Sequence, residues 1–87
     1  MQNLKGKTST NFEYDISIKR LNNYELVELL GRLEEEPLIL PKIVDLLLGK
    51  EQAKRLKEHI RDEEGLVSSE LMSSEINEIL TSPNTPN

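Results

Sequence analysis

The chain has no cysteine and no tryptophan, and only one phenylalanine and one histidine among its 87 residues. Without thiols, neither disulfides nor thiolate chemistry is available, and an intracellular protein is expected. One histidine leaves a zinc site short of the nitrogen and sulfur ligands that zinc prefers, so neither metal nor cofactor is expected. Aromatic residues make up 3% of the sequence. The core must therefore come from Leu, Ile and Val, which pack most readily as aliphatic stripes on helices. No apolar segment follows the polar residues 1–7, so no signal peptide is expected. The longest apolar run, residues 38–48, contains Lys42 and Asp45 and falls well short of the roughly 20 apolar residues of a membrane span. No membrane partner is expected. Basic residues vanish from Asp62 onward, where six acids stand without one base, and the whole chain carries a net charge of -5. Such a surface repels phosphate backbones, so no nucleic-acid partner is expected.

What is present is periodic. In residues 11–18, Phe12, Tyr14, Ile16 and Ile18 alternate with polar residues, the period of a half-buried strand. Residues 2–7 supply a second strand across a turn at Thr8, Ser9 and Thr10. Asn22, with Glu25 three residues on, reads as a helix start. Leu26, Leu29, Leu30 and Leu33 then form a stripe that should end near Glu35, before Pro37. A second helix is expected from between Leu38 and Pro41 to Leu48, with Gly49 as its stop. A third should run from about Lys50 to Glu63 with Gly65 beyond it. A fourth is capped in the region of Val67 to Glu70, with Leu71, Met72, Ile76, Ile79 and Leu80 as its stripe. Residues 81–87, with Pro83 and Pro86 and nothing to bury, are expected to be a disordered tail. The fold class is thus α+β, mainly α: one small domain over 1–80, with a β-hairpin in 1–18 and about four short helices in 22–80.

No catalytic constellation emerges. His59 lies on a charged helical stretch with no nucleophile placed near it, and adjacent carboxylates such as Glu34, Glu35 and Glu36 do not face one another on a helix. A helix-turn-helix over 43–60 would present Lys54, Arg55, Lys57 and Arg61, but within an acidic field. The chain is expected not to be an enzyme. The remaining signal is apolar surface: eight of the eleven residues in 38–48 are aliphatic. That helix is greasy over more than half its circumference. The expected partner-binding face is Leu40, Ile43, Leu46 and Leu47, with Leu26, Leu30 and Leu33 as one wall.

Several ordered elements also carry a family likeness. They are Asn22, Asn23, Tyr24 and Glu25; Pro37 and Leu38; Leu47, Leu48 and Gly49; and Gln52 and Leu56. The run His59, Ile60, Arg61, Asp62, Glu63, Glu64, Gly65 follows, then the run from Met72 to Ile79 with Ser73, Glu75, Ile76 and Glu78. In order and spacing this segment, two-thirds of the chain, resembles the small tail assembly chaperones of long-tailed, non-contractile bacteriophages and their prophages. The resemblance implies a non-catalytic protein of the bacterial host cytoplasm, absent from the mature virion. It would bind and solubilise the tape measure protein and help recruit tail tube protein subunits. Hairpin edges add a route to a homo-oligomer by strand addition. The alternative reading is an acidic regulatory or antitoxin-like protein that masks a basic partner through residues such as Glu75 and Glu78.

Overall fold

The computed structural model describes residues 3–81. Two strands, β1 (Asn3–Lys7) and β2 (Glu13–Ser17), pair antiparallel with Leu4 opposite Ile16 and Gly6 opposite Tyr14. The alternation works as expected: Leu4, Phe12, Tyr14 and Ile16 are buried while Lys5, Lys7, Glu13 and Asp15 face outward. Gly6 is required where it stands, because a Cβ there would lie 2.8 Å from the Cζ carbon of the Tyr14 ring. Asn11 closes the turn in the left-handed region at φ 72°, a conformation that asparagine tolerates better than most residues. Gln2 and the expected tail beyond Thr81 lie outside the described residues. Thr81 itself caps the last helix by donating its backbone N–H to Asn77.

The strand period stops one residue early. Ser17 accepts the Arg20 N–H at 3.3 Å and starts a short helix, α1 (Ile18–Leu21), which claims Ile18. Asn22 is consumed in ending α1, donating to the Ile18 carbonyl at 3.0 Å. The cap of α2 (Tyr24–Arg32) therefore falls to Asn23, whose Oδ1 accepts the Glu25 N–H at 3.0 Å. α2 ends three residues before Glu35, and Arg32 and Glu36 form an ion pair at 2.7 Å just beyond it. A 3-10 turn (Pro37–Ile39) leads into α3 (Leu40–Ile60).

α3 is continuous in name only. Gly49 sits at φ 79° and ψ 163°, a region open only to glycine, and divides it into the two helices expected before and after that residue. The carbonyls that the break orphans are met from elsewhere: Arg20 donates to Leu46 O at 3.0 Å, and Gln52 to Leu48 O at 3.1 Å. The second half stops at Ile60, earlier than Glu63. Arg61 turns extended and bridges to Val67, while the Asp62 carboxylate takes the Glu64 and Leu66 N–H groups at 2.9 and 3.0 Å. Gly65, at φ 85°, belongs to that loop. Ser68 caps α4 (Ser69–Leu80) through the Leu71 N–H at 3.2 Å. Met72, Ile76 and Ile79 are buried as expected, but Leu71 is exposed.

A hairpin followed by four helices thus forms around one apolar core drawn from both strands, α2, α3 and α4. α3 packs against α1, α2, α4 and β2. Its broad apolar surface is the consequence of central placement.

Candidate partner-binding groove

That placement corrects much of the expected face. Leu26, Leu40, Ile43 and Leu47 are buried in the core, Leu47 with no exposed surface at all, and Leu30, Leu33 and Leu46 are half-buried against it. A helix with neighbours on every side hides the residues that a one-sided reading assigns to a partner. Leu47→Glu would therefore disrupt folding and cannot report on binding.

Apolar surface remains where α2 gives way to α3. A groove of about 570 Å³ runs between the end of α2, the 3-10 turn, the start of α3 and the start of α4. Leu33, Leu38, Leu40, Val44, Val67 and Met72 line it, with Pro37 and Pro41. Asp45, Lys57, Ser68, Ser69 and Ser73 supply its polar edge. Only Leu33 and Leu40 of the expected face contribute. Leu38 is 93% exposed, the most exposed of the large apolar side chains among the described residues. It lies in the single turn between Pro37 and Pro41, where the chain is too short and too constrained by proline to fold it back on the core. The two prolines flanking Leu38 were the local signal for an outward position.

The second concentration of side-chain chemistry is at the hairpin turn. Ser9 donates its N–H and its hydroxyl to the two oxygens of Glu78, at 2.9 and 2.8 Å. The Thr10 hydroxyl donates to Glu75 Oε2 at 2.9 Å. His59 Nε2 lies 2.9 Å from the Thr10 carbonyl and 3.1 Å from its hydroxyl oxygen. A carbonyl can only accept, so Nε2 carries the proton toward it and is not poised as a base for Thr10. The His59 ring also rests on Phe12, centroids 5.5 Å apart, with the Arg55 guanidinium 5.3 Å from the Phe12 centroid. These groups fasten the turn to α3 and α4. Glu75 is 2% exposed, and its Oε1 has no hydrogen-bond partner. It is therefore no part of an acidic surface, which corrects the alternative reading at that residue. On the open side of α3, Arg61 holds the Glu58 carboxyl below the usual glutamate range by hydrogen bonding, with Arg61, Lys54 and Lys57 adding Coulombic attraction.

Strand addition is closed at one edge. The Gln52 amide accepts the Asp15 N–H at 2.9 Å and donates to the Asp15 carbonyl at 2.7 Å, occupying the outer side of β2 as a neighbouring strand would. Among the described residues no group of His, Asp or Glu is arranged to hold a metal ion, and no helix is long and apolar enough to cross a membrane. No protein-family model, curated protein or solved structure matches the chain.

Proposed function

We propose that this chain is a non-catalytic assembly chaperone that holds an apolar helical segment of a partner in the groove beside Leu38. The observation that carries the reading is that groove: aliphatic walls, a polar edge, and a leucine 93% exposed at its mouth. Helix-in-groove recognition needs this combination, because an amphipathic helix lays its apolar stripe on aliphatic side chains and keeps its polar face in water. The resemblance of residues 22–80 to tail assembly chaperones supports a phage tape measure protein as that partner, and with it the recruitment of tube subunits in the host cytoplasm before the tail is complete. The reading of an acidic, antitoxin-like mask loses support with the burial of Glu75.

The test is co-expression with the tape measure protein, followed by purification in high salt. Soluble, salt-resistant co-purification is expected, abolished by Leu38→Glu and retained by Lys19→Glu, an exposed residue outside the groove. Leu38 touches water on nearly every side, so its substitution leaves the fold intact. A complex that dissolves in salt and ignores Leu38→Glu would favour electrostatic masking. Failure of any complex to form would refute the chaperone reading.

A further inference from the structure

The groove beside Leu38 is apolar along its walls but not electrically blank. Of the side chains that line it, Asp45 and Lys57 alone carry charge. They come from different stretches of α3. Asp45 follows Val44 in the half before Gly49, and Lys57 belongs to the half after it. Both are exposed. They do not pair with each other, and among the described residues neither side chain makes an ion pair or a hydrogen bond within the chain. The arginines differ. Arg32 and Arg61 are paired with Glu36 and Glu58, Arg20 is bound to the Leu46 carbonyl, and Arg55 lies over the Phe12 ring.

A charge at the border of an apolar groove matters once the groove is filled. A docked helix displaces water from around the Asp45 carboxylate and the Lys57 ammonium. A charge that loses water and gains no counter-charge weakens the complex. One that gains a counter-charge favours the complex modestly and rejects an occupant of like sign.

On the reading that this groove holds a partner helix, we propose that Asp45 and Lys57 select which helix it holds. The occupant is amphipathic, its apolar stripe bordered by a basic residue where it passes Asp45 and by an acidic residue where it passes Lys57. A helix with uncharged borders leaves both charges unanswered. A helix bordered by one sign alone meets like charge at one of the two. The pair also sets direction, because turning the occupant end for end exchanges its border charges and sets base on Lys57 and acid on Asp45. The aliphatic walls supply most of the affinity, and the two charges supply the choice of sequence and orientation.

The test uses three synthetic helical peptides with one leucine stripe in common, bordered by Glu, by Lys or by Gln. Each is titrated calorimetrically into the full chain at about 0.1 M salt, where remote charges are largely screened. The Gln-bordered peptide should bind, and Leu38→Glu should abolish its binding. The charged peptides should respond to single neutralisations in opposite senses. Asp45→Asn should tighten the Glu-bordered peptide and weaken the Lys-bordered one, and Lys57→Gln should do the reverse, by about two- to fivefold each. Lys19→Gln changes the net charge as Lys57→Gln does, but outside the groove, and should shift neither peptide. The substituted residues are exposed, and thermal melts check that each variant is folded. If the Gln-bordered peptide binds but the charged peptides do not cross over, this inference is overturned while the groove stands as a helix-binding site. Binding by none of the three refutes that site and the inference with it. A chain already dimeric without peptide, and monomeric as Leu38→Glu, would assign the groove to a second copy and also overturn the proposal.

Discussion

The same substitution at two glycines should move stability in opposite directions. At Gly49, alanine must adopt φ 79° and ψ 163°, which costs a non-glycine residue about 1–3 kcal/mol. Its Cβ would sit 3.0 Å from a terminal nitrogen of Arg20, the side chain that satisfies the Leu46 carbonyl across the break. The lower entropy of the unfolded chain returns about 0.4–1 kcal/mol. The net effect is destabilisation of about 1–2 kcal/mol, or roughly 5–15 °C in melting temperature for a domain of this size. At Gly31 none of these penalties applies, because the residue is helical and, apart from its chain neighbours and the backbone of its own helix, nothing lies within 4 Å of the new methyl group. Gly31→Ala should stabilise by about 0.5–1 kcal/mol. Urea denaturation of dilute protein, followed by circular dichroism, measures both as midpoint shifts at constant slope. If Gly49→Ala were as stable as the wild type, α3 could straighten at no cost. The account of the break as a Gly-dependent joint capped by Arg20 would then be refuted.

Other consequences follow from the core and from the hairpin turn. Leu47→Ala should cost about 2–5 kcal/mol, because Leu47 is fully enclosed; in thermal melts a loss below about 1 kcal/mol would mean that the centre of α3 is not the centre of the core. Thr10→Val removes the hydroxyl that bonds the buried Glu75 carboxylate and should cost about 1–3 kcal/mol, most of it recovered when Glu75→Met is added. Equal costs for Thr10→Val with and without Glu75→Met, in the same denaturation assay, would show that the two groups are not coupled. The Glu58 carboxyl, held down by its hydrogen bonds from Arg61, should titrate by carbon-detected NMR below the ordinary glutamate range and return to it in Arg61→Gln. A depressed folded value means that this pair supports the fold above the ordinary glutamate range and loses its contribution as pH falls through the lowered value. An unchanged titration in Arg61→Gln would contradict that cause.

Local order was written in the sequence, because the forces that set it act between residues close along the chain. The two-residue period placed Phe12, Tyr14 and Ile16 on one buried face, and Gly49 marked the break in α3 because only glycine reaches the backbone angles found there. Serine at position 68 capped α4 by a bond three residues long. Where local reading slipped, a neighbour had already claimed the group: Asn22 ended α1 and left the cap of α2 to Asn23, and Asp62 captured the amides that would have continued α3. Within the apolar run, burial was decided by tertiary structure. Leu38 and Leu47 are both leucines in one apolar run, yet one is almost wholly exposed and the other wholly enclosed. Enclosure depends on which elements surround α3, and residues far away in sequence supply them. Glu75 shows the same rule for a polar group: its helix position puts it beside Met72 and Ile76, and the docked hairpin turn, 65 residues earlier at Thr10, gives its carboxyl group a donor.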